Sequence, residues 1–219
     1  MEFSSLIDLF LHLDKNLAIV ANEWGVWIYV LLFAIIFVET GFVVMPFLPG
    51  DSLLFVAGAL CAVGGMDLYV LMALLTTAAI LGDALNYSIG RFIGNKVFSW
   101  ENSRWFNRNA FDQAHAFYEK YGPITIVLGR FMPFIRTFAP FVAGVAHMRY
   151  PIFAFYNVIG GILWVCSLTA LGYWIGEHPW VKANFSLVAL AMIIIPGLPA
   201  LWIFSKEMFK KIQARRGAL

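Results

Sequence analysis

The stretch Gly129-Arg130-Phe131-Met132-Pro133-Phe134-Ile135-Arg136 puts two arginines inside a segment that otherwise reads as membrane. Arginine keeps its charge in a protein, so two guanidiniums in an apolar setting must be offset by carboxylates or by a bound anion. Pro133, with Pro140 a little further on, breaks the helix that could otherwise cross here. Broken helix at membrane depth is tolerated only where protein or a water-filled cavity surrounds it.

The rest of the chain supplies that setting. Of 219 residues, 61% are hydrophobic and 13% charged, and the mean hydropathy is +0.78. A soluble domain is only about half apolar, so the chain reads as an all-α integral membrane protein. The net charge of +2 is small, and the distribution of charge carries more information than its total. Cys61 and Cys166 stand alone in apolar surroundings and read as packing thiols. The opening residues MEFSSLIDLF lack the basic start of a secretory signal, and the N-terminus is expected to be retained.

Residues 1–23 carry Phe3, Leu6, Ile7, Phe10, Leu13, Leu17 and Val20 at three-to-four spacing, which predicts an amphipathic helix on the membrane surface. An uncharged apolar run from Trp24 to Val38 predicts a spanning helix that leaves Glu39 at depth. Residues 41–66 hold Pro46, Pro49, Gly50 and Asp51, with Ser52 beside them. Neither arm reaches the roughly 20 residues that a crossing needs, so a re-entrant hairpin presenting Asp51 is expected. Residues 67–90 can span, interrupted by Asp83 and Asn86, and Arg91 follows. Residues 95–121 form a polar loop with a second amphipathic helix within it.

Residues 122–148 repeat the earlier irregularity. Pro46-Phe47 leads to Phe55-Val56-Ala57-Gly58, and Pro133-Phe134 leads to Phe141-Val142-Ala143-Gly144. Two matching broken segments in the two halves are the best sequence pointer to a transporter's binding site. Tyr150 to Gly176 carries no charge and spans, a last span runs from Phe185 to about Phe204, and residues 206–219 form a basic tail. The expected architecture is a single membrane domain with about four spanning helices, two inverted re-entrant hairpins and amphipathic surface helices. Lysine and arginine concentrate in the 95–121 loop and the tail, so both termini are expected on the cytoplasmic face.

Six ionisable residues then lie at or near membrane depth: Glu39, Asp51, Asp83, Arg91, Arg130 and Arg136. Each costs roughly 2.5–3.5 kcal/mol on insertion scales, which makes structural accident a poor account of all six. Arg91, near a helix end, can instead snorkel to the interface. Guanidinium forks hold phosphate or carboxylate oxygens in pairs, so Arg130 and Arg136 read as an anion site. Carboxylates beside them can take up and release protons. The combination points to a proton-coupled carrier of an anionic molecule. An enzyme is not expected: His12, His115, His147 and His178 are scattered, and no GxSxG, HExxH or paired-cysteine spacing occurs. No catalytic residue, metal or cofactor is anticipated, and Ser52 and Thr137 read as hydrogen-bonding neighbours of the charges.

With these residues in hand, the sequence resembles the DedA family of bacterial inner-membrane proteins, whose VTT-type (SNARE-associated) membrane domain is shared with eukaryotic lipid scramblases. The motifs are ETG followed by PFLPGDSLL at Glu39 to Leu54, GDALNYSIGRFIG at Gly82 to Gly94, and YGPITIVLGRFMPFIR at Tyr121 to Arg136. They are similar to those of the family's namesake subgroup. The resemblance implies two facing hairpins, and the recycling of undecaprenyl phosphate between leaflets driven by the proton or sodium gradient. It implies Glu39 and Asp51 as essential acids for proton coupling and Arg130 and Arg136 as essential bases for the phosphate head. Pro46, Gly50, Ser52, Asp83, Arg91, Pro133 and Thr137 would be supporting residues. The partners implied are membrane lipids (polyprenyl phosphate or phospholipid) and protons or sodium, with room for a homo-oligomer and none for nucleic acid. The competing readings are a proton/cation antiporter, a phospholipid scramblase, and a scaffold whose buried charges only lock the hairpins. Both hairpin tips are expected to meet, with Arg130 and Arg136 in reach of Glu39 or Asp51.

Overall fold

The computed structural model describes residues 25–42, 50–94, 108–184 and 187–188, and every regular element among them is helical. The expected N-terminal surface helix, residues 43–49 of the first hairpin with Pro46, residues 95–107 of the polar loop, the last span apart from residues 187–188, and the basic tail lie outside the described residues. The helices are α1 Val26–Gly41, α2 Gly50–Ala62, α3 Leu68–Ile93, α4 Arg108–Tyr121, α5 Thr125–Leu128, α6 Pro133–Val145, α7 Tyr150–Gly176 and α8 Pro179–Ala183. Short 3-10 turns at Gly122–Ile124 and Gly129–Phe131 flank α5.

Helix length sorts these elements. α3 has 26 residues and α7 has 27, both apolar enough to cross a bilayer; at 1.5 Å per residue each runs to about 40 Å. α1, α2 and α6 have 16, 13 and 13 residues, or about 20–24 Å, short of a hydrocarbon core about 30 Å thick. Apolar side chains cover the outside as well as the inside: Trp27, Tyr69, Phe92, Phe155 and Trp174 are all exposed, as lipid-facing residues would be.

Local chemistry fixes the boundaries. Asp67 caps α3, its side chain accepting the Val70 N–H at 2.9 Å, while the Asp67 N–H donates to Tyr29 Oη at 2.8 Å. α4 stops at Gly122, whose φ of 64° suits glycine and starts the irregular arm. That arm ends at Met132, extended at φ −116°, ψ 110°. A residue before proline is pushed out of the helical region, and proline is well placed at the first helical position, so Met132-Pro133 dictates both the break and the start of α6.

The repeated FVAG motif has a packing role. A side chain on Gly58 would strike the Thr169 carbonyl, and one on Gly172 would strike that of Phe55. In the other half, a side chain on Gly144 would meet the Tyr87 carbonyl, and one on Gly90 that of Phe141. Small residues let helix backbones approach closely in membranes. Each FVAG helix therefore seats, glycine against carbonyl and carbonyl against glycine, on a long apolar helix of the opposite half: α2 on α7 and α6 on α3. The two halves are interlocked.

Among the described residues, two large apolar clusters result, beside a small one at Ala59 and Leu60. One gathers Leu32, Ile36, Leu54, Leu71, Leu75 and Trp164; the other gathers Tyr87, Phe111, Ile126, Phe138, Phe141 and Phe153. On α3 the buried polar residues Asp83 and Asn86 fall between the two clusters, and on α7 Asn157 does the same. The charged site occupies that seam.

Candidate functional site

Arg130 and Arg136 lie on either side of the Met132-Pro133 break, in the 3-10 turn and the first turn of α6. Both are buried, at 3% and 8% exposure. The break turns them toward different partners.

Arg136 Nη2 donates to Glu39 Oε1 at 2.8 Å, and its Nη1 donates to Asp51 Oδ1. Glu39, in the last turn of α1, is 1% exposed, whereas the Asp51 side chain, in the first turn of α2, is 48% exposed. A helix N-terminus favours a carboxylate, and Asp51 is the charged member of the site most open to its surroundings. Gly50 lies so close to Glu39 that any side chain there would overlap Oε2. Ser52 is buried in the same turn.

Arg130 belongs to a second cluster. Its Nη2 donates to Asp83 Oδ2 and, at 2.6 Å, to Asn157 Oδ1, and Asn157 Nδ2 donates to the Ile80 carbonyl at 3.0 Å. Arg130 Nε and Nη1 are buried with no acceptor among the described residues. Asn86 Nδ2 ties the seam together, donating to the Thr40 carbonyl at 3.1 Å and the Thr137 carbonyl at 2.8 Å. Trp164 Nε1 donates to Asp51 Oδ1 at 2.9 Å.

Among the described residues, three carboxylates thus face two guanidiniums, leaving one carboxylate in excess when all are ionised. Buried ion pairs are weak evidence for stability, because desolvation offsets most of their attraction. The fold keeps a costly set of charges whose spare donors, on Arg130, can receive an anion's oxygens.

Arg136 meets Glu39 and Asp51 as expected from the sequence. Arg130 does not: its carboxylate is Asp83. Arg91 stands apart, exposed at the end of α3 with Nη1 donating to Tyr87 Oη at 2.9 Å. Pro133 begins α6, and Thr137 is buried one residue beyond Arg136. Trp164, Asn157 and Asn86 were absent from the expected site. Amides at mid-span are themselves a signal, and so is a tryptophan far from the interfacial belts that usually hold this residue.

The VTT domain family model matches residues 48–174, which include Asp51, Asp83, both arginines, Asn157 and Trp164. Protein DedA of Escherichia coli K12 is 54% identical over 196 residues, covering 89% of this chain and 90% of its own length. The chain belongs to the DedA family. Other similar chains are a membrane protein of Mycobacterium leprae named as uncharacterized, 46% identical over 76% of this chain and 75% of its own, and Inner membrane protein YghB of E. coli K12, 37% identical over 77% of each. No solved structure matches the chain.

Proposed function

We propose that this DedA-family chain is a multi-pass lipid transporter of the bacterial inner membrane, with both termini cytoplasmic, that moves a phosphate-headed lipid between leaflets. The resemblance to the family makes undecaprenyl phosphate the leading cargo and the proton or sodium gradient the driving force. The observation that carries this reading is the buried seam where Arg136 is held by Glu39 and Asp51, while Arg130 keeps two donors beside Asp83 that have no acceptor among the described residues. A phosphate head entering there takes over guanidinium donors from carboxylates. The displaced, excess carboxylates then need protons or a cation, which couples the cargo to a gradient.

In this account the helices α2 and α6 are the inner arms of two re-entrant hairpins entering from opposite sides, and the lipid tail stays in the bilayer. Glycine-to-carbonyl packing joins α2 to α7 and α6 to α3, so in this account each pair moves as a unit against the other. The chain acts without catalytic residue, metal or cofactor.

The test is reconstitution of the full chain in liposomes with labelled polyprenyl phosphate, flipping being read by head-group accessibility and ion movement by a pH-sensitive dye inside the vesicles. Flipping that collapses in Arg130→Ala plus Arg136→Ala supports the carrier. The excess of carboxylate over guanidinium favours one second reading, a proton/cation antiporter, which predicts dye response without flipping. A phospholipid scramblase predicts equal flipping of phospholipids with no gradient dependence.

A further inference from the structure

Trp164 stands where the two charged clusters meet, and it is 1% exposed. The Arg130 guanidinium carbon lies 5.7 Å from its ring centroid and that of Arg136 lies 5.1 Å away. Its Nε1 holds Asp51 at 2.9 Å. An indole face is the best aromatic partner for a guanidinium, most of all where water is excluded.

The carboxylates of the two clusters come from different helices. Arg130 draws on Asp83 of α3, and Arg136 on Glu39 of α1 and Asp51 of α2. Trp164 touches both arginines and one carboxylate. Its helix is shaped for the role. Asn157, Gly160, Gly161 and Trp164 fall on one face of α7 at three-to-four spacing. A side chain at Gly160 would come within 3.1 Å of Arg130 Cδ and 3.2 Å of its Nε, so the glycine leaves a shelf along which Arg130 reaches the indole.

We propose that Trp164 is a positioning residue that couples the two arginines. When Asp51 leaves Arg136, the indole N–H loses its acceptor, and the ring shifts beneath both guanidiniums, so that a single event at the half-exposed Asp51 also reorients Arg130. The cargo in this picture rests on the carrier reading, but the coupling between the arginines does not.

The experiment follows the Nε–H resonances of Arg130 and Arg136 in the full chain, labelled with 15N, in lipid nanodiscs. Asp51→Asn acts on Arg136 directly. In the wild-type background it is expected to shift the Arg130 resonance as well, in Trp164→Leu to shift Arg136 alone, and in Trp164→Phe, which keeps a ring but no N–H, to shift Arg130 less than in wild type. An Arg130 resonance that ignores Asp51→Asn in the wild-type background, or responds equally in Trp164→Leu, overturns the proposal. Should the leucine variant not fold, an equal response in wild type and Trp164→Phe overturns it. Polyprenyl phosphate flipping in liposomes separates the two ideas. Coupled resonances without flipping refute the carrier and leave the role of Trp164 standing, whereas flipping without coupled resonances refutes the role of Trp164.

Discussion

Arg136 and Glu39, 97 positions apart in sequence, meet inside the protein with Nη2 donating to Oε1 at 2.8 Å. Both are nearly sealed from their surroundings. Their pairing joins the end of α1 to the start of α6 and makes each residue the other's counter-charge.

Removing one partner of such a pair costs roughly 3–5 kcal/mol, because the other charge stays buried. Arg136→Gln is therefore expected to lower the melting temperature of the purified protein markedly. Combining it with Glu39→Gln should recover most of that loss, since Asp51 is half-exposed and tolerates its own charge. Transport should not recover with it. Thermal unfolding monitored by fluorescence, beside the liposome assay, checks both statements.

Helix packing gives a second expectation. Gly144→Ala drives a methyl group into the Tyr87 carbonyl and within 2.7 Å of the Arg91 backbone nitrogen, and overpacking of this kind costs about 1–3 kcal/mol. At Gly41 the nearest atom to an added methyl is Leu85 Cδ2 at 3.4 Å, an ordinary contact, so Gly41→Ala should stay within about 0.5 kcal/mol of the parent. Denaturation of the two variants side by side decides whether the repeated FVAG motif is a packing device.

How much of this could be read in advance depends on how local the signal is. The break at Met132-Pro133 was legible because proline acts on its immediate neighbours, and the repeat of FVAG pointed to two related helices. That an arginine of the second broken segment meets Glu39 or Asp51 followed from charge balance, which left open which of the two arginines it would be. The partner of Arg130 did not, because the choice between Asp83 and Glu39 depends on which helices pack beside the broken segment, a long-range relation that no local pattern in the sequence fixes. Trp164 and Asn157 were hidden for a related reason: in a segment without charge, neither disturbs the pattern of a plain spanning helix.

Arg91 supplies a contrast among the cations. It is exposed and makes its hydrogen bond to Tyr87 Oη, outside the charged seam, so Arg91→Ala should leave flipping within about twofold of the parent, since an exposed charge acts only weakly through its surroundings. Arg130→Ala strands Asp83 in the core and should abolish it. Parallel liposome assays of the two variants, normalised to protein in the membrane, test the distinction.

The excess carboxylate makes a prediction about protons. A phosphate head adds negative charge to a seam that already holds three carboxylates and two guanidiniums, so binding is expected to take up protons and to strengthen as pH falls. Calorimetry of a short-chain polyprenyl phosphate in buffers of different ionisation enthalpy measures the uptake. Glu39→Gln should reduce it, and binding that releases protons would contradict the charge count.

The most direct measurement is the affinity of the purified full chain for that same polyprenyl phosphate, compared between wild type, Arg91→Ala and the Arg130→Lys plus Arg136→Lys variant. Lysine keeps each positive charge but not the fork, so the double variant is expected to stay folded and to lose at least tenfold in affinity, while Arg91→Ala matches wild type. Undiminished binding by a folded double variant would contradict the assignment of the two arginines to the phosphate head.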